Sequence, residues 1–231
     1  MVKVTNTAAA CDRSGVKCVV FGAAKSGKTS MIATAPTPLI ISSERGLLPL
    51  QGLKLPVVQI ETTADLDDVF EWLASSREAS QYETVAWDSL SDSADALLVE
   101  EQKLGRKGKS GAVDKWAPYN ALAEKMADKL RLARNITGKN WYLIAQEELH
   151  TMPNGAKMSV PSLPGKALLQ QLPYLYDGVF KLVHHVDPVT REEARAVQCK
   201  GDNITLAGDR SGRLDMWEPP NLSHIFAKMR S

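Results

Sequence analysis

Residues 22–29 read Gly-Ala-Ala-Lys-Ser-Gly-Lys-Thr, a complete G-x-x-x-x-G-K-[ST] string. The chemistry open to such a string is to hold the phosphates of a nucleoside triphosphate. Gly22 and Gly27 let the backbone curl so that successive N–H groups point inward, with Ala23, Ala24, Lys25 and Ser26 supplying the amides between them. Lys28 is placed to reach the β- and γ-phosphates, and the Thr29 hydroxyl to bind Mg2+. Ser30 carries the loop into a following helix, whose N-terminus would add partial positive charge. The Lys25 side chain has no required role in the motif and reads as solvent-facing. Context supports the reading. Lys17 to Phe21 is an apolar, β-prone run, and Ser30 to Ala33 suits a first helical turn.

Hydrolysis needs more than a phosphate cradle. It needs a second acid for the metal and a group that orients the attacking water. Glu83-Thr-Val-Ala-Trp-Asp88-Ser89 is an apolar strand ending in an acid. In a parallel sheet, Asp88 then lies at the carboxyl edge, where ligands bind, and suits an acid acting on Mg2+ through water. The alternative is a helix N-cap, since Asp88 and Ser89 also precede a helical pattern. Glu44 follows the strand Leu39-Ile40-Ile41-Ser42-Ser43 and falls at the same edge, where a carboxylate can position or deprotonate water. Its neighbour Arg45 could instead form a surface ion pair. Gln146 ends the apolar strand Trp141 to Ala145, and an amide there can contact a γ-phosphate or water. An ordinary polar strand end is the other reading.

The elements that must position these residues alternate. Short apolar runs at 38–42, 56–60, 84–88 and 141–145 lack the period-two pattern of a half-exposed strand, so they suit a parallel sheet covered on both faces. Helical spacing recurs over 64–76, 91–104 and 117–136, with a short helix over 166–172. Residues 149–163, with Pro153, Gly155 and Pro161, read as a long loop or hairpin, and strands follow at 178–185 and 194–200. The expectation is an α/β protein, a mainly parallel sheet with helices on both faces and a C-terminal antiparallel β extension. Residues 1–15 read as a loose polar arm or an edge strand, and 16–231 as one domain.

The chain has 231 residues, 44% of them hydrophobic, enough for a substantial core. Its 28 basic and 27 acidic side chains nearly cancel, so overall charge selects no partner. Three cysteines without C-x-x-C spacing argue against a disulfide framework or a zinc site. No run is long enough to span a membrane and no secretory leader is visible, so the expected location is the cytoplasm. His184 and His185 are adjacent in a strand and point to opposite faces, which disfavours joint chelation. Trp72, Trp87 and Trp141 read as packing.

In order along the chain, these motifs resemble the RecA-type recombination ATPases, and more closely the compact phage-encoded RecA-like single-strand annealing ATPases. The resemblance is carried by Gly22 to Thr29, by Glu44 in Ile-Ile-Ser-Ser-Glu-Arg-Gly-Leu, by Val85-Ala-Trp-Asp88-Ser89 and by Ile144-Ala-Gln146. It continues through Ser162-Leu-Pro-Gly165-Lys, Tyr176-Asp-Gly-Val-Phe-Lys-Leu182 and Gly208-Asp-Arg-Ser-Gly-Arg-Leu214. It implies a RecA-like P-loop core that hydrolyses ATP with Mg2+, with Lys28, Glu44 and Asp88 catalytic and Gln146 coupling nucleotide state to DNA. It also implies that Arg210 or Arg213 contacts a neighbour's γ-phosphate, so that active sites are composite within a homo-oligomeric ring or filament. A solvated turn is the plainer reading of both arginines. The chain is much shorter than the full-length recombinases and has no obvious extra DNA-binding domain, which favours annealing or a helper role over complete strand exchange.

Single-stranded DNA would be the partner, with a single-strand DNA-binding protein as an accessory. Such DNA is held by positive charge along the backbone and aromatic faces for bases. Lys103, Arg106, Lys107, Lys109 and Lys115, followed by Trp116 and Tyr119, offer both, though a solvated loop with a packed Trp fits the same residues. The second candidate is 149–162, with His150, Asn154, Gly155 and Lys157, tethered directly to Gln146. Two rival functions stand beside this one. A P-loop small-molecule kinase would usually carry a lid with several arginines, and residues 101–118 hold only Arg106. A nucleotide-binding accessory of replication or packaging would not turn ATP over.

Overall fold

The computed structural model describes residues 4–43, 46–107, 113–153, 155–187 and 189–231. Its centre is β1 (Lys17–Gly22), every residue of which is buried. Around it lie β2 (Pro38–Ser42), β3 (Val57–Gln59), β4 (Thr84–Asp88), β5 (Asn140–Thr151), β6 (Lys157–Pro161), β7 (Gly178–Val186), β8 (Glu193–Gln198), β9 (Gly208–Asp209) and β10 (Trp217–Glu218). The sheet order is β10-β8-β7-β1-β5-β4-β2-β3, with β6 on β5 and β9 on β7. The six strands from β7 to β3 run parallel, and β8, β9, β10 and β6 join antiparallel. The expected mainly parallel sheet with a C-terminal antiparallel extension is therefore present.

Both faces are covered, which is why the central strands are apolar without alternation. Val19, Phe21, Leu39, Ile41, Trp87, Trp141 and Leu143 face one core, closed by α3 (Thr63–Ser75), α4 (Leu90–Lys103), α5 (Ala117–Asn135) and α6 (Lys166–Leu175). Cys18, Val20, Ile40, Ala86, Tyr142, Ile144 and Phe180 face the other, closed by α2 (Lys28–Met31), a 3-10 turn over Ile32–Thr34 and α7 (Leu222–Arg230). Phe70 is sandwiched in the first core, 5.6 Å from Trp87 edge-on and 5.5 Å from Trp141 in a stack. The tryptophans expected to pack do so, with Trp72 against Tyr82. Cys18 and Cys199 are buried and Cys11 is exposed, all as free thiols.

Several elements differ from the sequence reading. The loose arm is in part a helix, α1 (Thr7–Ser14), because alanines favour helix and the Asn6 side chain caps the Ala9 N–H at 2.8 Å. β3 lies at the sheet edge, with Val57 and Gln59 exposed, so it is covered less than the central strands. β5 runs on past Ala145 to Thr151 and pairs with β6, so of the two readings of 149–163, loop or hairpin, the hairpin holds. α7 was not expected at all.

Candidate active site

β1 delivers the chain into the glycine loop, and two backbone features force glycine there. A Cβ on Gly22 would lie 2.6 Å from the Leu182 carbonyl of β7. Gly27 adopts φ 105°, a left-handed conformation that costs glycine little. Lys25 also sits at φ 61° with its side chain exposed, as expected. Gly22, Ala23, Ala24, Lys25, Ser26, Gly27, Lys28, Thr29 and Ser30 line one cavity of about 730 Å3, together with Gly46, Asp88, Gln146, Glu147 and Arg195.

Lys28 folds back over its own loop, donating to the Gly22 and Ala23 carbonyls at 2.8 Å each. The ammonium thus sits against the carbonyls of its own loop. α2 is only four residues long before it tightens into the 3-10 turn, so the expected helix-dipole contribution is small. The loop amides and Lys28 carry the positive potential instead.

Asp88 ends β4, paired with Ser42 of β2, and is 3% exposed. Its Oδ2 accepts from the Thr29 hydroxyl at 2.7 Å. The helix-capping role falls to Ser89, whose side chain accepts from the Asp92 N–H at 3.2 Å. Asp88 is therefore left to face the loop. Glu44 and Arg45 lie outside the described residues. Their neighbour Ser43 holds the Asp88–Ser89 segment, accepting at its Oγ from Ser93 Oγ at 2.8 Å and donating to the Ser89 carbonyl at 3.0 Å.

Gln146 pairs with Gly22 across β1 and β5 and lines the cavity. Its N–H donates to Ser91 Oγ at 3.0 Å and its carbonyl accepts from the Ser162 N–H at 2.8 Å, so its backbone is fixed while its side chain is exposed. The hairpin arm bearing Lys157 leaves the sheet directly from this residue.

Three residues were missed from sequence, Glu147 and Arg195 in the cavity lining and Tyr142 beneath it. Tyr142 is buried beneath the loop and donates to the Lys28 carbonyl at 2.8 Å. Burial, with smaller contributions from Cys18 and Asp88, pushes its phenol well above the ordinary value, so it remains a donor. Glu147 accepts from Lys181 at 2.7 Å and from Ser159 Oγ at 2.6 Å. Burial raises its pKa, but these hydrogen bonds and the Lys181 and Lys28 charges carry it below the ordinary carboxylate value. Arg195 reaches from β8 over Gly27. Tyr142 reads as one more apolar strand position and Arg195 as one position of the strand 194–200, so neither carried a local signal.

Arg210 is not brought to this cavity within its own chain. It pairs with Asp177 at 3.2 Å and donates to the Tyr174 carbonyl at 2.8 Å. Asp177 also accepts from the N–H of Lys17, at the far end of β1, about 17 Å from Gly22 at 3.3 Å per residue. Arg213 donates to the Met229 carbonyl at 3.0 Å. Both arginines lie exposed in the bend after β9, as in the plainer reading, with these contacts to their own chain.

The basic loop is partly engaged. Arg106 and Lys125 bracket buried Glu101 at 2.7 and 2.6 Å. The hydrogen bond from Lys125 holds that carboxyl below its usual range, against a desolvation cost. Lys103, Lys107 and Lys115 are exposed, and Lys107 bridges to Val113. Lys109 and Asn154 lie outside the described residues. Trp116 is 75% exposed, 6.3 Å from Tyr119, so it does not pack as a cap. Lys157 is exposed at the start of β6. Among the described residues, no group of three His, Cys, Asp or Glu side chains could hold a metal, and no helix is long and apolar enough to cross a membrane.

The sequence matches the profile of the AAA domain family over residues 14–211. No curated protein matches it in sequence. Among solved structures, the chain is similar to the KaiC-like protein PH0186 from the hyperthermophilic archaeon Pyrococcus horikoshii OT3. That similarity has a TM-score of 0.45 and 14% identity, over 80% of this chain and 77% of the other.

Proposed function

The chain belongs to the AAA domain family and is a P-loop ATP hydrolase, and on that premise we propose a Mg2+-dependent ATPase that binds single-stranded DNA and promotes annealing or homologous recombination. In this reading it is a RecA-like core of the phage-encoded annealing type, working as an oligomer with composite sites. The observation that carries it is the position of Gln146. It lines the phosphate-loop cavity while its backbone anchors the β5–β6 hairpin bearing Lys157. A change at the γ-phosphate therefore has a short path to the hairpin that bears Lys157.

The site suits a metal of the expected kind. Two ligands at adjacent octahedral positions on Mg2+ sit about 2.9 Å apart, from metal–oxygen distances of about 2.05 Å. Thr29 Oγ1 and Asp88 Oδ2 are 2.7 Å apart, a hard-oxygen pair of that span. Thr29 would hold Mg2+ directly and Asp88 directly or through water, with the ion neutralising charge on the phosphates. Lys28 would leave its carbonyls for the phosphate oxygens, and Glu44 would orient or deprotonate the attacking water. Arg210 lies at the far end of its own β1, so a role on a phosphate requires a neighbouring subunit.

DNA would follow the surface of Lys103, Arg106, Lys107, Lys109, Lys115 and Lys157, with Trp116 as a stacking face. Composite sites and DNA coupling are tested together by ATP turnover measured against protein concentration, with and without single-stranded DNA. Turnover per chain should rise with both. Turnover independent of both would refute the reading, and phosphorylation of a small molecule would replace it with a kinase. Substituting Lys107, Lys109 and Lys157 together should weaken single-strand affinity and flatten its salt slope by about 2, at roughly 0.7 per lost contact. An unchanged slope would show that the DNA lies elsewhere.

A further inference from the structure

Arg195 is an exposed cation held against the glycine loop. It sits in β8 opposite His184 of β7, and β7 in turn lies beside β1. From there its side chain passes over Gly27. A Cβ on that glycine would be 2.7 Å from Nη1, 3.3 Å from Cζ and 3.5 Å from Cδ, so the absence of a side chain at position 27 is what makes room for the guanidinium. Both residues line the same cavity as Lys28 and Asp88.

Among the described residues, the guanidinium of Arg195 makes no hydrogen bond or ion pair, whereas the other polar groups around it are engaged. Asp88 accepts from Thr29, Glu147 from Lys181 and Ser159, and Lys28 holds two loop carbonyls. Two cations facing one cavity repel each other unless an anion comes between them. A guanidinium presents its donors in a planar fork that matches phosphate oxygens.

We propose that Arg195 is a phosphate ligand acting in cis, closing over the triphosphate tail held by its own glycine loop. The inference rests on the ATPase reading and adds a second cation to Lys28. It places that cation on the chain that binds the nucleotide, independent of any neighbour. Arg195 thus clamps the tail from the β8 side while the loop amides hold it from below.

The test measures equilibrium affinity for ATP and ADP in the parent, Arg195→Ala and Arg195→Lys chains, with thermal unfolding of each in the absence of nucleotide. Arg195→Ala should bind ATP roughly 10- to 100-fold more weakly, the worth of a charge-assisted hydrogen bond, with an unchanged melting temperature. Arg195→Lys should recover part of the loss. Unchanged ATP and ADP affinity in Arg195→Ala overturns the proposal. Mixing Arg195→Ala with Lys28→Ala chains separates cis from trans. A cis ligand predicts no turnover above the sum of the two, and recovery above that sum overturns the cis assignment. A parent chain that binds no ATP at all would instead refute the phosphate-loop reading on which this one stands.

Discussion

Replacing Tyr142 with Phe removes one oxygen from the floor of the site and nothing from its lining. The phenol is fully buried in β5 and donates to the backbone carbonyl of Lys28 at 2.8 Å. It pins the residue whose ammonium must reach the phosphates. The hydrogen bond and the partly stranded buried carbonyl together are worth about 1–2 kcal/mol. For a chain of this length, about 2–4 °C of melting temperature corresponds to each kcal/mol, so the variant should melt about 2–8 °C lower. Lys28 would also be less well fixed, so ATP affinity should fall severalfold. Thermal unfolding followed by far-UV circular dichroism, with and without ATP, reads both effects. A variant that melts within a degree of the parent and binds ATP equally well would refute the claim that the loop is anchored from beneath by this hydroxyl.

Phe70→Ala empties the space between Trp87 and Trp141 and should cost about 3–5 kcal/mol in denaturant unfolding. A loss under about 1 kcal/mol would mean that this aromatic group does not hold the first core together. Glu147 has its folded pKa below the ordinary value, so its contribution to stability is present above that ordinary value and is lost as pH falls through the folded one. The stability advantage of the parent over Glu147→Gln should therefore be largest near neutral pH and shrink in acid below about pH 4. An advantage that stays constant from pH 7 to pH 3 would contradict the Lys181 and Ser159 pairing.

The parts of the site that were legible in the sequence are those carried by contiguous residues or by strand ends. The glycine loop is one unbroken string, and Asp88 and Gln146 each close an apolar run, so a parallel sheet brings their ends to one edge. Of the residues that escaped notice, Glu147 simply follows Gln146 along β5, whereas Arg195 and Tyr142 reach the site through tertiary pairing. Arg195 falls in the expected strand 194–200, but only the antiparallel pairing of β8 with β7 brings it over Gly27. Tyr142 is indistinguishable from its apolar neighbours until its hydroxyl is seen against Lys28. α7 did have a readable signal. Asn221 caps the His224 N–H, and Leu222, Ile225, Phe226 and Met229 recur at helical spacing into the second core. β9 and β10 are two residues each and leave no period to detect.

The central claim is that the loop around Lys28 clasps a triphosphate beside the Thr29–Asp88 pair and that this geometry hydrolyses it. The most direct measurement is ATP affinity and turnover of Lys28→Ala beside the parent, with melting temperatures to confirm that both are folded. The predicted result is a folded variant with turnover lower by about a hundredfold or more, the scale of losing a preorganised charge from a transition state. A folded Lys28→Ala chain with the parent's affinity and turnover would contradict it.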